Sequence, residues 1–112
     1  MMEGVFKKLE VKALPNGVVS VEWELARPLK PDETPEIIDA LVKEIEEKKK
    51  ENDGRYITLS GAGPIWFYAM LLHKVIHKFL VVAIFDPKLN TYITVASHTP
   101  HYLEGQPFVP PH

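Results

Sequence analysis

Two stretches near the start of the chain, Val5 to Val11 and Val18 to Leu25, alternate apolar and polar positions with the period of a half-buried strand. Pro15-Asn16-Gly17 lies between them, and Asn-Gly is a strong hairpin signal because both residues tolerate positive φ. A proline-punctuated connection, Arg27-Pro28 to Pro31-Asp32, leads to Thr34-Pro35, which predicts an N-cap and a first helical residue. Ile37, Ile38, Leu41, Val42 and Ile45 then fall on one helical face, with Asp39/Lys43 and Glu44/Lys48 paired at i,i+4 on the other. Asn52-Asp53-Gly54 predicts the stop of that helix. A third strand is expected over Arg55 to Ser60, a second helix over Ile65 to Lys78, and strands over Leu80 to Phe85 and Thr91 to Ser97 around the turn Asp86 to Asn90. The predicted order is ββαβαββ, a small α/β domain with a mixed sheet. Its third strand, second helix and fourth strand form a central right-handed βαβ unit with parallel strands. Residues 1–98 are expected to make this single domain, and 99–112, with four prolines, an extended tail.

Composition narrows the function classes. A chain of 112 residues that is 46% apolar and 25% charged is long enough for one buried core. Its net charge of −2 lacks the broad basic footprint of a protein that tracks long nucleic acid, so DNA is not an expected partner and any nucleic-acid ligand is small. The absence of cysteine excludes disulfides, thiolate metal sites and cysteine nucleophiles. No secretory leader pattern stands at the start, and the most apolar run, Pro64 to Leu72, is too short to cross a bilayer. The expectation is a cytoplasmic protein with no membrane partner.

Candidate chemistry begins where the third strand runs into the second helix. Ser60-Gly61-Ala62-Gly63-Pro64-Ile65-Trp66 is a glycine turn followed by a helix start, with Pro64 read as the first helical residue. It directs the N–H groups of Ile65 and Trp66 and the positive end of the helix dipole at one spot, which suits phosphate. The pattern matches neither a Walker loop nor the dinucleotide fingerprint, and many such turns bind nothing. The second helix is apolar on nearly every side at its start (Ile65, Trp66, Phe67, Ala69, Met70, Leu71, Leu72), which predicts burial against a partner subunit. His73 and His77 stand at metal-ligand spacing, although basic residues at a helix C-terminus, His73, Lys74, His77 and Lys78, are also favoured by the dipole alone.

Strand order places these groups on two edges. Asp86 ends the fourth strand at the edge where the glycine turn ends the third, the usual ligand side of an α/β sheet. Ser97-His98 ends the fifth strand at the opposite edge, where His73 also falls, about 13–15 Å along the helix from the glycine turn. If both edges act on one ligand, they come from different subunits stacked head to tail.

Taken in order, Ser60-Gly61-Ala62-Gly63-Pro64-Ile65-Trp66, His73-Lys74, Asp86-Pro87-Lys88-Leu89 and Ser97-His98 resemble the small CRISPR-associated ring nucleases of type III systems, the proteins called "Csx-three". The resemblance covers about residues 55 to 105 by motif, and the hairpin and first helix by order of elements. It implies a divergent relative of nucleotide-sensing Rossmann-like (CARF) domains, a homodimer, and binding of cyclic tetra-adenylate. It also implies manganese-dependent cleavage of that ring, sandwiched between dimers, which agrees with the two-edge geometry.

On this resemblance Ser60 to Trp66 binds the ring with Lys74 nearby, and Asp86 is a metal ligand or a general base. His73 and His98 bind metal or transfer protons, and Lys88 offsets charge developing on the phosphate. Two positions depart from the family: Ala62 and Lys88 stand where arginine is frequent, and lysine does not replace a bidentate fork. The resemblance therefore supports binding more directly than cleavage. A non-catalytic protein that sequesters or senses the ring is the alternative, and metal-dependent trimming of linear RNA a third reading that the weak basic footprint disfavours.

Overall fold

The computed structural model describes residues 4–111. Five strands form one sheet in the order β1-β2-β3-β4-β5: β1 Phe6–Ala13, β2 Val18–Leu25, β3 Tyr56–Gly61, β4 Val81–Asp86 and β5 Thr91–Ser97. The central three are parallel, and β1 and β5 run antiparallel at the edges. Helices α1 Thr34–Asn52 and α2 Ile65–Val75 make the two crossovers, β2-α1-β3 and β3-α2-β4. The expected α/β order and mixed sheet are present, with a second βαβ unit beside the one the sequence indicated.

Alternation along the strands divides the core in two. Val19, Val21, Trp23, Ile57, Leu59, Val82 and Ala96 face the helices and pack on Ile37, Ile38, Leu41 and Ile45 of α1 and on Phe67, Leu71 and Val75 of α2. Val18, Val81 and Ala83 face the other way and are covered by Phe108 from the C-terminal segment, with Tyr56, Tyr92 and Tyr102 around them. That segment also pairs with the outer edge of β5, through Thr94 N–H to Gln106 O at 2.9 Å and Phe108 N–H to Tyr92 O at 2.8 Å. An edge strand is thereby blunted against pairing with another chain.

The boundaries are instructive. β2 and β5 span the predicted residues, and Asn16 and Gly17 both take positive φ (71° and 73°) in the hairpin turn. Helix α1 is entered differently from the expectation. A 3-10 turn, Pro31–Glu33, precedes it, and the Thr34 hydroxyl donates backward to Lys30 O at 2.8 Å instead of capping the next turn. The N-cap is Glu33, whose carboxylate accepts from Lys30 N–H at 2.8 Å and grips Arg27 at 2.6 Å. At the other end the left-handed residue is Asp53 (φ 51°), while Gly54 is required because a Cβ there would lie 2.9 Å from Val19 Cγ2. Helix α2 stops at Val75, short of Lys78, and the chain turns so that Phe79 enters the core.

Candidate functional site

At the carboxyl edge of the parallel strands, Trp23 of β2 pairs with Gly61 of β3. The β3–β4 register sets Leu59 opposite Ile84, and continued by two residues it brings Gly61 level with Asp86. Pairing between β3 and β4 ends at Leu59, and Tyr68 of α2 takes over the free backbone of Gly61. Its hydroxyl accepts from Gly61 N–H at 3.0 Å and donates to Gly61 O at 2.5 Å. The Trp23 indole Nε1 donates to Ala62 O at 3.2 Å. Ala62 and Gly63 are exposed, and Ser60 half-buried.

Pro64 is the N-cap of α2, in extended conformation (φ −63°, ψ 153°), so the first helical residue is Ile65 rather than the proline. Phe67 N–H is taken by Pro64 O at 3.1 Å. The N–H groups of Ile65 and Trp66 have no carbonyl a turn earlier in the helix, and none among the described residues accepts them. Ile65 itself is 88% exposed, an apolar side chain standing in solvent beside the turn.

Asp86 opens the β4–β5 turn. Its Oδ1 accepts from the N–H groups of Lys88 (2.8 Å) and Leu89 (3.3 Å), an arrangement that leaves Oδ2 uncommitted among the described residues. Lys88 is exposed and forms no ion pair among them.

The opposite edge carries the histidines. His98 follows β5, and its N–H donates to Leu80 O at 2.8 Å. The Ile76 carbonyl lies 2.8 Å from His98 Nε2, which assigns the proton to Nε2 and leaves Nδ1 free. The partner of His98 is His77, stacked on it with ring centroids 5.9 Å apart. Both line a cavity of about 390 Å³ together with Lys49, Arg55, Lys78 and Phe79. Lys78 pairs with Glu46 at 2.7 Å, which holds that carboxyl below its usual range, and Lys49 sits over the Phe79 ring at 5.4 Å. Arg55 is exposed and has no acidic partner among the described residues. The pocket is cationic.

His73 and Lys74 lie elsewhere. His73 is exposed on the last turn of α2, and Lys74 pairs with Asp39 of α1 at 3.7 Å. His77 belongs with His98 because α2 ends at Val75 and residues 76–78 form a turn beside the end of β5. Hairpin arithmetic carried this signal. Asp86 pairs with Thr91 and, after a one-residue shift between Val82 and Ala83, Val81 pairs with Ser97, so Leu80 meets His98, and His77 stands three residues earlier.

Among the described residues no group of three or more His, Asp or Glu is placed to hold a metal ion. Asp86 and the histidine pair are separated by the length of β4, roughly 17 Å at the rise of a strand. One chain thus carries the two candidate groups of residues at opposite edges of its sheet.

Comparison with known proteins agrees with the motif order. The family described as CRISPR-associated protein (Cas_csx3) matches residues 23–108. A protein of Aquifex aeolicus (strain VF5), itself described as uncharacterized, is 34% identical over 97 residues, covering 85% of this chain and 80% of its own length.

Proposed function

From the premise that the chain belongs to the CRISPR-associated Cas_csx3 family, we propose that it binds cyclic tetra-adenylate and cleaves it, ending the signal of a type III antiviral response. The observation that carries this reading is the split site. Outward N–H groups and Asp86 stand at one edge of the sheet, the cationic histidine pocket at the other. A ligand touched by both lies between two molecules, and a ring of phosphates is suited to be held from above and below.

In this reading Ile65 and Trp66 N–H groups meet phosphate oxygens at the glycine turn. Lys88 adds positive charge at that edge, and Arg55 and Lys49 supply it from the facing molecule. Cleavage of a phosphodiester needs one group to accept a proton from the attacking hydroxyl and another to donate one to the leaving oxygen. Oδ2 of Asp86 is the uncommitted acceptor for the first task, and the second requires the imidazolium form of His98, which carries a proton on Nδ1 as well as on Nε2, with His77 beside it. Among the described residues, one chain does not complete a manganese site. Manganese therefore enters the proposal only as an assay condition.

The test is chromatography of cyclic tetra-adenylate incubated with the protein, with and without manganese. Linear adenylate products with manganese, lost in Asp86→Ala and His77→Ala and retained in His73→Ala, support the reading. Unchanged ring in both arms, with no gel-filtration shift of the protein, rejects it. A second reading, sequestration without cleavage, is favoured by Asp86 Oδ1 being held in its own turn and by the two missing arginines. It expects ring protected one-for-one with protein, and no turnover on long incubation with manganese.

A further inference from the structure

The glycine turn is held by two aromatic side chains that the motif does not include. We infer that Trp23 and Tyr68 are positioning residues for the anion bound at Gly61 to Trp66, an inference that rests on the ring-binding reading above. A turn of Gly-Ala-Gly has few side-chain anchors and a large conformational entropy to lose on ordering. Here the carbonyls of Gly61 and Ala62 are both occupied from within, one by the Tyr68 hydroxyl at 2.5 Å and one by the Trp23 indole at 3.2 Å. Carbonyl oxygens are the negative ends of their peptide dipoles. Fixed inward, they leave the side that meets a phosphate to N–H groups.

The clamp is itself anchored. Trp23 is 4% exposed, with ring centroids 5.3 Å from Phe67 and 5.0 Å from Tyr68. Burial pushes the Tyr68 phenol above its usual pKa, so the hydroxyl keeps its proton and its role as donor. Tyr68 also stands in for a strand, since β4 has left β3 by Gly61 and that residue's N–H and C=O would otherwise be open to water.

Tyr68→Phe removes one oxygen and both bonds to Gly61, and Trp23→Phe removes the indole donor. Ring affinity is measured without manganese by equilibrium titration, turnover at saturating ring with manganese, and amide hydrogen exchange of residues 61–66 without ligand. Tyr102→Phe, which loses a hydroxyl bond to Val109 O on the other face of the sheet, is the control. The expected result is affinity weakened about five- to thirtyfold in Tyr68→Phe, the loss of one or two net hydrogen bonds. Exchange at the turn is faster, saturated turnover is little changed, and Tyr102→Phe binds as the unaltered protein does. A protein that binds the ring while both clamp variants bind it equally well overturns the inference and leaves the ring-binding reading standing. If the unaltered protein binds no ring, that reading falls instead. In that case faster exchange in Tyr68→Phe supports the clamp, and unchanged exchange overturns it.

Discussion

Gly54 and Gly61 are demanded by distance and not by dihedral angle. Gly61 does not have positive φ, yet a Cβ added to it would lie 2.3 Å from Trp23 Cδ2 and Cε2, in collision with the indole ring. The strand–turn–helix step at this turn was legible in the sequence. The tryptophan beneath it was not, because Trp23 is 38 residues away and reaches Gly61 only through the parallel pairing of β2 with β3. Gly61→Ala is expected to push the indole out and cost about 1–3 kcal/mol, the usual range for overpacking. Urea unfolding measures that cost, and the same variant loses ring affinity because the Trp23 bond to Ala62 goes with it. An unchanged unfolding midpoint would show that the indole has room to move. Glu33 makes a second residue-scale case. The Arg27 guanidinium, then the Lys30 N–H, holds its carboxyl down from 4.5 to about 2. Stability from this contact is present above about pH 4.5 and fades as pH falls toward 2. Thermal unfolding between those limits should therefore depend less on pH in Glu33→Gln than in the unaltered chain.

Helix α2 shows what periodicity can and cannot tell. Its apolar character all round predicts cover from a partner subunit, and within the chain Phe67, Leu71 and Val75 are the buried residues. Ile65, Ala69, Leu72 and Ile76 recur at helical spacing on another stripe, exposed or half-buried. Lys74, tied to Asp39, marks the flank toward α1, so that stripe turns away from it. Ile84, Ile93 and Val95 of β4 and β5 are likewise half-buried, Ile84 and Val95 packing against the core beneath the helices. An apolar surface of this extent suits a second copy, and the homodimer is proposed to form there. Leu72→Glu with Ile76→Glu is expected to lower the solution mass by light scattering to that of one 112-residue chain, with far-ultraviolet circular dichroism unchanged. A mass that both proteins share would move the interface elsewhere. The strands were more legible than the helix ends, since β2 and β5 carry their alternation to their last residues. The end of α2 was misread by three residues because Ile76 to Lys78 keep helical composition while tertiary demand pulls Phe79 into the core.

At the scale of the molecule, the sheet sets Asp86 and the histidine pair at opposite ends of β4. The sequence placed Asp86 and the glycine turn on one edge and His98 on the other from strand direction alone. The resemblance named His73 beside His98, and it is His77, in the turn after Val75, whose ring stacks on His98. The half-sites face apart by about the length of β4, so neither edge can reach the other's ligand within one chain. A heterologous, head-to-tail contact follows if both act on one ring. This geometry makes a prediction that a self-contained active site does not. Asp86→Ala keeps an intact histidine edge, and the double variant His77→Ala/His98→Ala keeps an intact aspartate edge. Each is expected to be inactive alone on cyclic tetra-adenylate with manganese. Mixed, they form stacks in which the intact aspartate edge of one meets the intact histidine edge of the other, and cleavage returns. The regained rate should rise to a maximum near equal amounts of the two proteins and fall when either is in excess. A mixture as inactive as its components would mean that each chain acts alone, and the shared-ligand arrangement would have to be abandoned.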